Sequence, residues 1–275
     1  MEDYPVGLVG SATPEQERVM GIWERYAGAR KNMVRAGFDL YRSVEGRVSP
    51  SISTPPRAFR SGRSYQRVEV PGPHVAITFD DGPHPDNTPR LLDILAERKV
   101  KATFYLIGEP VTRHPDVVRR TLAEGHEIGS HTWSHRFLTT QTAHGIAGEL
   151  TSTHQAIEDT IGVAPTSLRP PYGAVTGAMS RWIDHQFGYP TVLWSVDAAD
   201  WEDPGAKTIT ERLVERTTAG SIILNHDPLT PTVDAMTETL DRLLERGFVF
   251  VTVSELIGLA AGPTNRQQDQ GDFTN

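Results

Sequence analysis

The stretch Val75-Ala76-Ile77-Thr78-Phe79-Asp80-Asp81-Gly82 decides how this chain is read. Five mostly apolar residues lead straight into two adjacent carboxylates and a glycine. A short continuous apolar run bounded by a turn signal reads as a strand buried on both faces, the kind found in parallel sheets. Two acids before Gly82-Pro83 can be turn formers. At the end of a buried strand, however, two carboxylates are costly unless they are paired or hold a cation. The apolar lead-in tips the reading toward chemistry.

Outward from this strand the pattern repeats. Candidate strands are Val75–Asp80, Ala102–Ile107, Glu127–Ser130, Ser167–Arg169, Val192–Asp197, Ser221–Asn225 and Phe248–Val253. Amphipathic runs fall between them at Pro89–Arg98, Asp116–Glu124, Thr142–Ile161, Gly177–Gln186, Thr208–Thr218, Val233–Arg246 and Ser254–Leu259. Gly125, Gly162, Gly188 and Gly247 sit where left-handed helix caps belong. About seven successive βα units predict an α/β fold with a parallel sheet, closed as a barrel or open and doubly wound. Asp80-Asp81, His131, Arg169, Asp197 and His226 each stand at or just past a strand end. A barrel gathers all such ends on one rim, so it explains them better than an open sheet.

The chain is divided here into an N-terminal helix with a Pro/Ser/Arg-rich connector (1–70), a catalytic domain (71–262) and a disordered tail (263–275). The helix is expected over Pro14–Arg42, docked on the main domain by its apolar stripe. There are no cysteines among the 275 residues, so disulfides, thiolate nucleophiles and Cys-type metal sites are excluded. A formal charge of −8 argues against nucleic acid as the partner. No apolar run is long enough for a transmembrane segment. The start, Met1-Glu2-Asp3-Tyr4-Pro5, lacks the positive and apolar regions of a secretory signal. The protein therefore either stays inside the cell or is exported by a signal outside this sequence; oligomeric state is not legible.

His131 and His135 are four positions apart, a spacing that brings two imidazoles together on a helical turn or a tight loop. With one of the two carboxylates they supply an N/O ligand set. The remaining carboxylate is then available as a base. Other histidines, including His126, read as surface or helix-end residues. Arg169, in Arg169-Pro170-Pro171-Tyr172-Gly173, needs a carboxylate partner if buried. Asp197-Ala198-Ala199-Asp200-Trp201 and Leu224-Asn225-His226 follow two more strands, and a His beside an acid suits a proton donor.

The ordered set Thr78-Phe79-Asp80-Asp81-Gly82, His131-Thr132-x-x-His135, Arg169-x-Pro171-Tyr172, Asp197-x-x-Asp200-Trp201 and Leu224-x-His226 resembles the five motifs of the polysaccharide deacetylases, the carbohydrate esterases with a nodulation-type deacetylase domain. The resemblance covers roughly Val75 to Leu259. It implies a distorted or incomplete (β/α) barrel and a divalent cation, usually Zn2+ with Co2+ or Mn2+ as alternatives. It implies that Asp81, His131 and His135 bind the metal and that Asp80 is the base, held by Arg169. It further implies that the Tyr172 amide stabilises the oxyanion, and that His226 is the acid, oriented by Asp200. Pro171, Tyr172, Trp201 and Leu224 would line the substrate pocket. The expected activity is removal of N-acetyl groups from N-acetylglucosamine-containing glycans such as peptidoglycan, chitin or chito-oligosaccharides, which favours an extracytoplasmic location. An O-acetyl esterase acting on xylan would keep the same site. A non-catalytic carbohydrate-binding relative would be expected to have lost part of it, as would a relative acting on small cyclic amides.

Overall fold

The computed structural model describes residues 63–261. The expected N-terminal helix, most of the connector and the tail lie outside the described residues. In chain order the strands are β1 (Ser64–Tyr65), β2 (His74–Asp80), β3 (Thr103–Leu106), β4 (Glu127–Ser130), β5 (Thr191–Val192), β6 (Val196–Asp197), β7 (Ile222–His226) and β8 (Val249–Phe250). The helices are α1 (Asn87–Glu97), α2 (Gly108–Arg113), α3 (Pro115–Ala123), α4 (Ala143–Ile161), α5 (Gly177–Phe187), α6 (Ala206–Arg216), α7 (Thr230–Glu245) and α8 (Val253–Ala261).

The apolar run that opened the sequence reading is the central strand. β2 is buried from Val75 to Asp80 and pairs in parallel with β3, β7 and, at its start, β8. The main sheet runs β4-β3-β2-β7-β6, all parallel. Beyond β4, Leu168 forms single parallel bridges to Ser130 and Thr191, and β5 pairs with β1. The result is an α/β fold whose sheet curls without closing into a complete barrel. Leu91, Leu92 and Leu95 of α1, Leu213 of α6 and Met236, Leu240 and Leu243 of α7 pack with Ile77, Phe79 and Ile223 into the largest core cluster.

Three expected strands are reduced; of Phe248–Val253 only Val249–Phe250 pair as β8, and Val253 begins α8. Ser167–Arg169 contributes only the Leu168 bridges, because Pro165, Pro170 and Pro171 remove donors and fix the backbone on either side. The run Val192–Asp197 breaks into β5 and β6; at the break, the carbonyls of Val192 and Leu193 accept from Arg169 Nε (3.2 Å) and Nη2 (3.1 Å). The short helix α2 was not among the expected helices; Pro110 is tolerated in its first turn. The glycine expectation holds at Gly162 and Gly188, which cap α4 and α5 in the left-handed conformation. At Gly220 (φ +80°) a Cβ would lie 1.8 Å from the Val68 carbonyl oxygen, so only glycine fits there.

The two ends of the sheet are used differently. At the start of β4 the Glu127 carboxylate accepts from Thr103 Oγ1 (2.9 Å), Thr166 Oγ1 (2.5 Å), the Ser254 amide (3.0 Å) and the Ser254 hydroxyl, tying α8 across the strands. At the carboxyl ends, the polar residues converge on one another.

Candidate metal centre

Asp81 follows the last residue of β2, and His131 follows the last residue of β4. His131 Nδ1 lies 2.7 Å from the Arg169 carbonyl oxygen. A carbonyl only accepts, so Nδ1 carries the proton and Nε2 carries the lone pair. That Nε2 is 3.3 Å from Asp81 Oδ1, and His135 Nε2 is 3.2 Å from the same oxygen. One ligand atom from each of the three residues lies within 4.8 Å of the others, and all three residues are buried. An imidazole lone pair facing a carboxylate oxygen in a buried site is repulsive without a cation between them. The donor set of two imidazoles and one carboxylate suits a borderline divalent cation and fits the group expected there.

Asp80, the residue before Asp81, is held by Arg169. Nη1 donates to Asp80 Oδ1 at 2.8 Å and to Thr78 Oγ1 at 2.6 Å. The Thr78 hydroxyl in turn donates to the Ile223 carbonyl at 2.6 Å. The guanidinium lies over the Tyr105 ring, 4.2 Å from its centroid. Asp80 Oδ2 approaches His131 Nε2 at 3.7 Å, so the carboxylate lies beside the ligand cluster. The third element is His226, the last residue of β7. Its Nδ1 meets Asp200 Oδ1 at 2.6 Å, while Asp200 Oδ2 accepts from the His226 amide (2.8 Å) and Thr232 Oγ1 (2.7 Å). Asp80 and His226 are Cα partners across β2 and β7.

Residues 67–192 match the family described as polysaccharide deacetylase. The chain is 38% identical over 200 residues to a peptidoglycan-N-acetylglucosamine deacetylase of Bacillus cereus, covering 70% of this chain and 93% of that one. The chain belongs to the polysaccharide deacetylase family. It is also 37% identical over 220 residues to the peptidoglycan-N-acetylglucosamine deacetylase PgdA of Listeria monocytogenes, covering 80% of this chain but only 45% of PgdA, so it spans about half that relative's length. Among solved structures, a T48 deacetylase with substrate superposes with a TM-score of 0.63 at 42% identity, covering 67% of this chain and 90% of that one.

The backbone of this deacetylase-family site departs from ordinary conformations. Asp81 (φ 74°), Thr132 (φ 68°), His135 (φ 55°), Tyr172 (φ 61°) and Ala199 (φ 51°) are all left-handed without being glycine. Such residues cluster where the surrounding structure over-determines them, commonly at functional sites. The Tyr172 ring stands edge-on to His135 at 4.6 Å and stacks on Phe137 at 3.9 Å. Pro171 is buried in the same turn. Leu224 is buried in β7 in register with Thr78, and Trp201 is half-buried directly after Asp200.

Several residues that shape the site carried no sequence signal. Thr232 looks like any helix threonine, and Glu149 like one more helix-surface acid. Asp227, next to His226, is fully buried; the Thr88 hydroxyl donates to its Oδ2. Burial pushes its carboxyl up to about 7, with the Thr88 bond opposing and the charge of Asp81 adding. Its oxygens also fill the space where a Cβ on Gly82 would lie, 2.5 Å away. Asp197 accepts the Ala199 amide at 2.6 Å, and burial raises its pKa. His126, expected as a surface or helix-end residue, stands just past the end of α3 and is buried. Its Nδ1 accepts the Ala102 amide at 3.1 Å, and burial lowers its pKa to about 4.

Proposed function

We propose that this chain hydrolyses the N-acetyl groups of N-acetylglucosamine units in a polymeric or oligomeric glycan, peptidoglycan or a chitin-like chain, releasing acetate and a free amine. The observation that carries this reading is the buried Asp81–His131–His135 cluster flanked by the Asp80–Arg169 and His226–Asp200 pairs. Zn2+ is the cation we assign to the cluster. When bound, such a cation supplies Lewis acidity, acidifying water and favouring the developing oxyanion.

The residues of the chain do the rest. Asp80, fixed by the Arg169 guanidinium, takes a proton from the attacking water. The Tyr172 amide donates to the substrate oxyanion as the carbonyl carbon becomes tetrahedral. The leaving amine is too basic to depart as an anion, so a proton must reach nitrogen as the C–N bond breaks. His226 delivers it from Nε2, the ring nitrogen opposite the Asp200 contact. Trp201, Leu224 and Pro171 enclose the acetyl group. A glycan of the cell envelope as substrate places the protein outside the cytoplasm.

The test is acetate release from chito-oligosaccharides and peptidoglycan fragments by the zinc-reconstituted protein, with a chelator control. Chelator-sensitive acetate with an equal yield of new amines is the expected result. Acetate with new hydroxyls in place of amines, from acetylated xylan, would overturn the amide reading in favour of an ester one. A zinc-loaded protein inert on all three substrates would overturn both.

A further inference from the structure

The loop that joins the two histidine ligands is held by a carboxylate outside the ligand cluster. We propose that Glu149, on α4, is a positioning residue that fixes the His131–His135 loop, so that cation affinity depends on an acid that does not itself bind the cation. The inference rests on the metal reading given above.

Inside the loop the His135 amide donates to Thr132 Oγ1 at 3.2 Å, but the Trp133 and Ser134 amides take their acceptor from outside it. The loop contains two left-handed non-glycine residues, Thr132 and His135, so consecutive peptide groups turn away from the sheet and need acceptors elsewhere. Glu149 provides them. Its Oε2 accepts the Trp133 amide at 2.9 Å and the Ser134 amide at 2.8 Å, and its Oε1 accepts the Ser134 hydroxyl at 2.5 Å. Bonds to an ionised acceptor are shorter and stronger than neutral ones. On the other side, the Thr132 and Trp133 carbonyls accept from the Gly108 (3.0 Å) and Glu109 (3.2 Å) amides of α2. The loop is thus gripped between α2 and α4, and Glu149 is the grip that a side-chain substitution can release.

Helix α4 has separate support. Ile146, Leu150 and Ile157 are buried, and its N-cap, Thr142, accepts the Gly145 amide at 3.1 Å. Replacing Glu149 therefore loosens the loop without removing the helix. Partners that orient ligands from behind commonly contribute about 10–100-fold in metal affinity.

The experiment measures Zn2+ affinity of the full chain by competition with a chromophoric chelator, alongside the melting temperature of the metal-free protein. Glu149→Gln is expected to weaken zinc binding about tenfold or more, with Glu149→Asp, which keeps the charge, falling between it and the parent. Ser134→Ala removes one donor and leaves α4 untouched. It should weaken zinc about threefold, the low end of what loss of one net hydrogen bond implies, because the two amide bonds to Glu149 remain; it decides the matter if the Glu149 variants do not fold. Zinc affinity within twofold of the parent in Glu149→Gln or, should that not fold, in Ser134→Ala overturns the proposal, whatever happens to the melting temperature. His131→Ala separates the two levels. A parent that binds no zinc more tightly than His131→Ala overturns the metal reading and this inference together. A parent that binds tightly beside an unaffected Glu149→Gln overturns the inference alone.

Discussion

Arg169 donates to Asp80 at 2.8 Å, and the two side chains are 0% and 3% exposed. The charge pair is therefore taken almost wholly out of water, where an unpaired partner is costly. The remaining guanidinium hydrogen bonds go to Thr78, Val192 and Leu193, so Asp80 is aimed by a rigid fork anchored at three further points.

Asp80→Asn should keep the cation and lose the reaction. Asparagine preserves the volume but cannot accept the proton of the attacking water. The expected loss in kcat is about 10²–10⁴-fold, with zinc content unchanged by atomic absorption. Parent-like turnover would remove Asp80 from the mechanism.

Thr78→Val tests the anchor behind that fork. Valine has the same shape but leaves the Ile223 carbonyl and one Arg169 N–H without their shared hydroxyl. Unsatisfied buried groups of this kind cost about 1–3 kcal/mol, readable as a lower urea midpoint, and a drop in kcat should accompany it. Unchanged stability would mean that water or a shifted partner replaces the hydroxyl.

Asp200→Asn should leave zinc binding intact and lower kcat by at least about 10²-fold. The carboxylate takes three donors, the His226 ring, the His226 amide and the Thr232 hydroxyl, and an amide cannot accept all three in the same pose. A rise in KM alone would assign Asp200 to substrate binding instead.

His126 predicts a pH effect on stability away from the site. Its Nδ1 accepts an amide, which requires the neutral ring, and its pKa falls from 6.5 to about 4 on burial. The unfolded chain then binds the extra proton between these values. The contribution is complete above pH 6.5 and is lost as pH falls toward 4. In urea unfolding from pH 7.5 to pH 5, His126→Asn should lose about 1–2 kcal/mol less stability than the parent. Equal losses would mean that the ring is not held neutral.

The central strand, its helices and the residues at the strand ends were legible because each has a local signature. Apolar runs mark buried strands, and carboxylates at the end of such a run need an explanation. The broken run Val192–Asp197 was not legible. What interrupts it is Arg169, a residue distant in sequence that takes two of its carbonyls. Glu149 escaped for the same reason. Its partners are Trp133 and Ser134, and nothing in the helical pattern of α4 distinguishes an acid facing a loop from one facing water. The burial of His126 was not legible, because its partner, the Ala102 amide, is distant in sequence. Local chemistry survives in a sequence, while long-range hydrogen bonding leaves no periodic trace.

Asp80 and His226 are neighbours on one rung of the β2–β7 ladder, and Asp80 and Tyr105 share the next rung, between β2 and β3. In the proposed mechanism, the backbone separation between the proton acceptor Asp80 and the proton donor His226 is thus set by the pitch of a parallel sheet, about 4.8 Å per strand. Lineages that exchange the surface loops carrying glycan preference would keep the reaction unchanged. A single-residue deletion inside β7 would turn the histidine to the opposite side of the sheet and silence it. Evolutionary change in such a scaffold runs along the rim, and the ladder beneath acts as its fixed ruler.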